Sequence, residues 1–188
     1  MFWDWWQSLF TDTPAYAFFN FKFLPKYGSA VIQGVEYTLI LSVVSVLLAV
    51  LPALLIATMR LSKNRLIRWL SGAYIAIFRS TPMLVQLMII YFGVFFYIPV
   101  PKVMLFGFID STRFIPGVTA LALNSAAYVA EIFRAGILAV DSGQMEAARS
   151  LGLSQKQSMQ LVILPQAIKN VLPALANEVV TMVKESSI

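Results

Sequence analysis

The amino-acid sequence predicts an all-α membrane protein with four spanning helices and a polar helical insert before the last of them. Of its 188 residues, 59% are hydrophobic and 12% are charged, and the mean hydropathy is +0.77. Soluble domains average about 45–50% apolar and about 25% charged residues. The apolar residues also fall into long runs with cations concentrated between them. Both observations indicate a helical bundle in a bilayer.

Two residue types are absent, which narrows the possible chemistry. The chain has no cysteine and no histidine, which excludes disulfides, thiol nucleophiles, imidazole bases and histidine-ligated metals. It has no GxxxxGK[ST] loop, so it does not bind ATP through a P-loop. The net charge of +5 comes from cations beside apolar runs, which is typical of membrane topology rather than nucleic-acid binding. We expect no catalytic site, metal, bound cofactor or nucleic-acid partner.

The first 30 residues are predicted to form an aromatic segment at the bilayer surface. Trp3, Trp5 and Trp6 are followed by Tyr16 and by the run FFNFKF at 18–23. Tryptophan and tyrosine concentrate at membrane–water interfaces. The segment lacks the basic start and uninterrupted apolar core of a cleavable signal. An interfacial anchor is the simpler interpretation, and a substrate or partner site is the alternative.

The first span is predicted near residues 35–59. Residues 37–59 carry no charge, and as a helix they are about 35 Å long, enough to cross a core of about 30 Å. Four cations follow in one short loop at Arg60, Lys63, Arg65 and Arg68. By the positive-inside rule this loop is cytoplasmic, which places the N-terminus outside.

The second span is predicted near 69–98, with a break at Pro82. A straight helix over 69–100 would be about 48 Å long, too long for a bilayer without heavy tilt. The sequence RSTP at 79–82 favours a break there. Arg79 near membrane depth needs an interior or interfacial partner. It either fixes helix packing or takes part in gating substrate movement.

The third span is predicted near 114–138, after an outside loop at 102–113. It is uncharged as far as Ala130 and then reads EIFR. Glu131 and Arg134 are three residues apart on one helical face, so we expect them to pair at the cytoplasmic boundary.

A polar insert at 141–165 follows and is predicted to be cytoplasmic. The run EAARSL at 146–151 favours a helix, Gly152 allows a left-handed cap, and Ser154 with Gln157 has capping-box spacing. Pro165 is predicted to lie near the start of the next helix. Helix, glycine elbow and helix on a membrane protein indicate a docking site for a soluble partner.

The fourth span is predicted near 163–183, and it is the most polar. It carries Glu178 beside Asn177, and it ends in the sequence KESS, which contains Lys184, Glu185 and Ser186. Ionisable residues at membrane depth need partners or water. The polar residues therefore form either a substrate pathway or an interhelical hydrogen-bond network without a ligand.

Several motifs together resemble one transporter family. The insert, EAARSLG at 146–152 with LPQA at 164–167, resembles the EAA loop of binding-protein-dependent ABC importer permeases. Within these, FRSTPMLVQ at 78–86, AYVAEIFR at 127–134 and KESS at 184–187 are similar to segments of the polar amino acid permeases. Ser80 stands where that family usually has glycine. The resemblance runs from about Gly34 to the last residue.

The resemblance implies that residues 31–188 form the transmembrane domain of a type I ABC importer permease in a bacterial cytoplasmic membrane. Glu146, Ala147, Ala148 and Gly152 would dock a separate ATPase subunit that binds the ATP. Asn177, Glu178, Lys184, Glu185 and Ser186 would contact a polar amino acid. The other implied partners are a second permease subunit and an extracytoplasmic amino-acid-binding protein. The family normally has five spans, so we expect a chain truncated before the fifth.

Two other classes of function stay open at this point. A channel would use the polar fourth span but would not need the insert. A scaffold would use the insert for docking and the buried charges for packing, without active transport.

Overall fold

The computed structural model describes residues 24–105 and 107–187. The predicted aromatic segment therefore lies outside the described residues, except for residues 24–30 at the start of the first helix. The described elements, in chain order, are α1 (Leu24–Arg60), α2 (Arg65–Ser80), α3 (Met83–Met88) with the π-helical turn Ile89–Val94, β1 (Met104–Leu105), β2 (Ile109–Asp110), α4 (Ser111–Leu138), α5 (Ser142–Ser150), α6 (Gln155–Ser158) with the π-helical turn Met159–Ile163, and α7 (Leu164–Glu185).

Three helices in the described ranges are long and apolar enough to cross a membrane. They are Lys26–Arg60, Ser111–Leu138 and Gln155–Glu185. A fourth crossing exists only if α2 and the segment Met83–Val94 count as one span, and these two are bent by 106° at the break between them. The predicted all-α membrane fold is confirmed, and so is the break beside Pro82.

The helices pack through small residues. Ala53 and Ala57 of α1, Ile75 of α2, and Val129 and Ala130 of α4 form a buried cluster. α4 also packs along α7, where a Cβ on Gly136 would overlap the Val171 side chain and would approach the Ala167 carbonyl oxygen to 3.3 Å. Close backbone approach through alanine and glycine is the usual way in which membrane helices associate.

A polar N-cap fixes the start of α4. The Asp110 carboxylate accepts hydrogen bonds from the Thr112 backbone N–H at 2.9 Å and from the Thr112 hydroxyl at 2.7 Å. These bonds hold the pKa of Asp110 below its usual value. Strands β1 and β2 precede it as an antiparallel hairpin, with Gly107 at a φ of +81°. The helix starts three residues before the predicted position because the cap lies outside the apolar run.

Candidate functional site

The polar insert has the predicted helix–glycine–helix form. Asp141 caps α5 by accepting from the Gly143 N–H at 2.6 Å, so α5 starts at Ser142. At its other end the Leu153 N–H bonds the Ala148 carbonyl and the Gly152 N–H bonds the Arg149 carbonyl. This pair of bonds is a Schellman motif, which requires a left-handed residue after the helix. Gly152 fills that position with a φ of +88°.

A capping box starts the second helix of the insert. The Gln157 N–H donates to the Ser154 hydroxyl at 3.3 Å, and the Ser154 N–H donates to Gln157 Oε1 at 2.9 Å. Pro165 is the second residue of α7, which agrees with its expected place near a helix start. The helical path is nevertheless continuous from Gln155 to Glu185. The π-helical turn Met159–Ile163 lies just before the proline, and the Leu164 N–H bonds the Met159 carbonyl there. Widening the turn accommodates a residue that has no N–H of its own.

The four predicted docking residues differ in exposure. Glu146, Ala147 and Gly152 are exposed, whereas Ala148 is buried. Ala148 therefore packs inside the insert of the single chain. The exposed apolar residues nearby are Leu151, at 84% exposure, and Leu161, at 65%. Apolar side chains in this setting are suited to a protein partner.

A glutamine of the next helix makes hydrogen bonds to the carbonyl groups at the break before Pro82. Pro82 has no N–H to give to the Phe78 carbonyl. The Gln86 side-chain amide donates instead to the Phe78 carbonyl at 2.7 Å and to the Thr81 carbonyl at 2.9 Å. Gln86 Oε1 in turn accepts from the Asn124 Nδ2 of α4 at 2.9 Å. Gln86 and Asn124 are both buried, so this network ties the bent pair to α4.

The residues predicted to have a structural or gating role lie on two helices and at one break: Arg79 on α2, Pro82 between α2 and α3, and Glu131 and Arg134 on α4. Arg134 Nε donates to both carboxylate oxygens of Glu131 at 3.0 Å, which confirms the pairing expected from their spacing. The Arg79 guanidinium stands 5.1 Å from the ring centroid of Tyr128 on α4. A cation over an aromatic face is attracted by the ring quadrupole. Arg79 thus contributes to the contact between α2 and α4.

The five substrate-pathway candidates divide between two faces of the C-terminal end of α7. Asn177 and Lys184, seven residues apart, are exposed. Glu178 and Glu185 have the same spacing on another face, where Glu178 is buried and Glu185 is half-buried. Glu178 Oε1 accepts from the Ser125 hydroxyl of α4 at 3.3 Å. The single chain therefore does not bring the five residues into one pocket.

A small cavity adjoins the last two candidates. Its volume is about 50 Å³ and its lining includes Leu87, Leu121, Glu185 and Ser186. A space of this kind needs about 10–15 Å³ to hold one water molecule, so the cavity has room for a few waters. Glu185 Oε2 is buried and accepts no hydrogen bond from the described residues. The Ser186 and Ser42 hydroxyl oxygens are 2.7 Å apart and link the end of α7 to α1.

Four hydrogen-bonding residues of the bundle were not singled out from the sequence as site candidates. They are Ser42, Gln86, Asn124 and Ser125. These residues are neutral and lie outside the charged fourth span, so the pattern of charges along the chain does not indicate them. The pair Asn124-Ser125 in an otherwise apolar stretch could have been read as interhelical contact residues, because neutral polar groups inside a membrane seek partners on other helices.

Residues 45–188 match the family described as "Binding-protein-dependent transport system inner membrane component". The chain belongs to this family. As a member it is a transmembrane permease component of an ABC transporter and not the ATPase itself. An ABC transporter of this family works with an ATPase and a binding protein, and the apolar helices agree with a membrane location.

Named relatives and a solved structure agree with this membership. The "Putative glutamine transport system permease protein GlnP" of Rickettsia prowazekii (strain Madrid E) is 44% identical over 167 residues, which cover 89% of this chain and 72% of that protein. The "Arginine transport system permease protein ArtQ" of Bacillus subtilis (strain 168) is 43% identical over 158 residues, covering 84% and 68%. A structure titled "Crystal structure of an amino acid ABC transporter with histidines" matches with a TM-score of 0.76 and 48% identity, covering 87% and 72%.

Proposed function

We propose that this chain is the membrane subunit of an ATP-driven importer that moves a polar amino acid across a bacterial cytoplasmic membrane by alternating access. The observation that carries the proposal is the exposed insert α5–Gly152–α6, with its left-handed glycine and its capping box. The relatives support the substrate class, since their names specify glutamine and arginine. ATP is bound by the separate ATPase subunit, and this chain holds no cofactor.

The insert transmits the motion of the ATPase to the helices. Bonds between near neighbours fix the shape of each of its helices, and the Gln166 side-chain amide of α7 donates to Gln144 Oε1 of α5 at 3.2 Å. The helix α5 can therefore move as a rigid lever that is attached to α7. Glu146 and Ala147 contact the ATPase on the exposed side, with Leu151 beside them, while Gly152 sets the angle. Since α6 is continuous with α7, displacement of the insert is carried directly into the polar end of α7.

Substrate contacts are assigned to the exposed face of α7. Lys184 meets the α-carboxylate of the substrate, and Asn177 provides hydrogen bonds on the same face. Glu178, Glu185 and Ser186 line the path or hold its wall, with Glu178 bonded to Ser125. This division is supported by exposure, because a bound amino acid needs side chains that are not already enclosed by their own subunit.

The remaining assembly follows the family. Two permease subunits, identical or different, line the path between them, and an extracytoplasmic binding protein delivers the amino acid.

The N-terminus lies outside, and the basic loop at 60–68 and the insert lie in the cytoplasm. Because the chain has no cysteine, single cysteines report topology cleanly. In right-side-out vesicles an impermeant maleimide should label Lys102→Cys and not Lys63→Cys, and the reverse pattern would overturn the orientation.

Reconstitution with an ATPase subunit and a binding protein tests the function. Proteoliposomes should take up glutamine, arginine or histidine only with ATP, and the loaded binding protein should stimulate ATP hydrolysis. Uptake of an amino acid without ATP would indicate a channel. ATP turnover that does not respond to any amino acid would indicate a scaffold.

Two substitutions on α7 test the substrate contacts. Lys184→Gln removes the proposed carboxylate partner, so substrate-stimulated ATP hydrolysis should fall about tenfold to a hundredfold, as expected for losing a charged hydrogen bond worth about 1.5–3 kcal/mol. Lys169→Gln, which removes an exposed cation from an earlier turn of α7, is the matched control. Equal stimulation of ATP hydrolysis in the two variants would show that Lys184 does not contact the substrate.

A further inference from the structure

Helix α2 cannot be an ordinary membrane crossing. Its longest uncharged stretch, residues 69–78, is about 15 Å long as a helix, about half of a hydrocarbon core of about 30 Å. The helix differs in direction by 106° from the segment Met83–Val94 that follows it. Two helices at this angle cannot both follow the bilayer normal. Residues 83–98 are uncharged, whereas α2 contains Arg65, Arg68 and Arg79, so the later segment is the one suited to the hydrocarbon core.

Three faces run along α2. Its buried and half-buried side, which includes Ser71, Tyr74 and Ile75, packs inward, and the Tyr74 hydroxyl donates to the Leu123 carbonyl of α4 at 2.6 Å. The opposite side is apolar and open, with exposures of 64% at Leu66, 66% at Trp69, 48% at Leu70 and 61% at Ile77. At 100° per residue the three arginines fall on one flank between these two faces.

The flank and the loop before it are strongly basic. Residues 60–80 contain five cations and no acidic residue. Arg60 lies against α2, with its Nη1 donating to the Arg68 carbonyl at 3.3 Å beside Gly72, and Arg79 is held by Tyr128. Lys63, Arg65 and Arg68 are exposed and have no carboxylate partner within the described ranges.

We propose that α2 lies in the headgroup region of one leaflet and that Lys63, Arg65 and Arg68 bind the anionic headgroups of lipids. The open apolar face, with Trp69 at its centre, enters the boundary between headgroups and acyl chains, as in interfacial amphipathic helices. The basic flank beside it meets the phosphates of that leaflet, where each cation near an anionic surface contributes about 1 kcal/mol, or about a fivefold preference. The charge of the flank and its position beside an exposed apolar face select a lipid surface over a soluble partner.

Depth measurements distinguish an interfacial helix from a crossing helix. Spin labels at Leu66→Cys, Ala73→Cys and Ile77→Cys in the full chain, reconstituted in vesicles of phosphatidylcholine and phosphatidylglycerol, should report one shallow depth from their accessibility to oxygen and to a nickel chelate. The control series Leu47→Cys, Leu51→Cys and Leu55→Cys on α1, whose side chains are exposed, should change depth along the helix. A depth difference of about 16 Å between positions 66 and 77, the length of that helical stretch, would overturn the proposal.

Lipid selectivity tests the basic flank. Spin-labelled phosphatidylglycerol should be enriched over spin-labelled phosphatidylcholine at the surface of the wild-type protein. The triple variant Lys63→Gln, Arg65→Gln, Arg68→Gln should lose about half or more of that enrichment, and added salt should weaken the wild-type preference in the same way. The control triple Arg149→Gln, Lys156→Gln, Lys169→Gln removes the same number of positive charges elsewhere and should retain the wild-type enrichment of phosphatidylglycerol. Equal enrichment in both triples would show that this flank is not the lipid site.

Discussion

The polar insert and the buried polar contacts of the helix bundle both depend on side-chain hydrogen bonds, but these bonds stabilise different things. In the insert, Ser154 and Gln157 bond each other across three residues. In the bundle, Gln86 and Asn124 are 38 residues apart, and Ser125 and Glu178 are 53 apart. Bonds between neighbours fix the shape of one segment, whereas long-range bonds fix how segments lie against each other. The insert can therefore keep its shape while it moves with α7, to which Gln144 is bonded through Gln166. The bundle, in contrast, must exchange contacts to rearrange.

The largest difference in thermal stability is expected between substitutions of two glutamines, Gln86 in the bundle and Gln157 in the insert. Gln86→Leu removes the partner of the half-buried Phe78 and Thr81 carbonyls and of the buried Asn124 amide. A buried polar group left unpaired costs roughly 1–3 kcal/mol. Gln157→Leu removes a bond from an exposed cap, which costs about 1 kcal/mol or less. Thermal unfolding of the two purified variants in detergent should show a much larger decrease in the melting midpoint for Gln86→Leu than for Gln157→Leu. Similar losses would mean that the buried network does not hold the break.

Alanine substitutions at two helical glycines distinguish the effect of side-chain packing on stability from the effect of helix propensity. At Gly136 a methyl group would overlap Val171, so Gly136→Ala should destabilise the protein by about 1–3 kcal/mol, as overpacking does. At Gly34 no atom of residues 24–105 or 107–187 lies within 4 Å of the added Cβ, so Gly34→Ala should stabilise the helix by up to about 1 kcal/mol. Denaturation in detergent measures both. A neutral Gly136→Ala would contradict the close approach of α4 and α7.

A smaller and local effect is expected in the insert. Ser154→Ala removes the cap of α6 and should cost about 1 kcal/mol, seen as faster hydrogen exchange of the Gln157 amide. Ser150→Ala removes a hydroxyl that donates back to the Glu146 carbonyl at 3.0 Å, a type of bond that slightly destabilises helices. This variant should leave exchange unchanged or slower. Faster exchange throughout the bundle in Ser154→Ala would show that the insert is not an independent unit.

The smallest expected effect is a pH dependence at the start of α4. Because hydrogen bonds lower the pKa of Asp110 in the folded state, its ionised form stabilises the fold above the unfolded pKa. That contribution is lost as pH falls through the folded pKa, which lies below 3.8. Asp110→Asn keeps a cap without a titrating group, so its melting midpoint should fall less than that of wild type between about pH 5 and about pH 3. Identical profiles would exclude a contribution from Asp110.

Local chemistry explains what could be predicted from the sequence. The glycine elbow at Gly152, the capping box at Ser154, the Glu131–Arg134 pair and the break at Pro82 each depend on residues within a few positions of one another. Propensity, capping and proline geometry act over that range. Pro165 also lies where the sequence predicts it, at the second residue of α7, although a π-helical turn joins α7 to the helix before it.

The contacts that could not be predicted join distant segments. Neither the pairing of Gln86 with Asn124 nor that of Ser42 with Ser186 has a spacing signal, because each depends on how the helices are placed. The substrate candidates show the same limit. The sequence identified polar residues on α7, but their division into an exposed pair at Asn177 and Lys184 and an enclosed pair at Glu178 and Glu185 follows from packing against other helices.

The ratio of amino acid imported to ATP hydrolysed tests the central claim, that α5–Gly152–α6 couples the helix bundle to an ATPase. Gly152 and Gly107 share left-handed backbone conformations, with φ of +88° and +81°, so aspartate at either position adds comparable strain. In proteoliposomes Gly152→Asp should insert normally, retain ATP hydrolysis and strongly lower the ratio, because the motion of the ATPase no longer reaches the helices. Gly107→Asp should keep the wild-type ratio. A wild-type ratio in Gly152→Asp, or equal losses in both variants, would contradict the account.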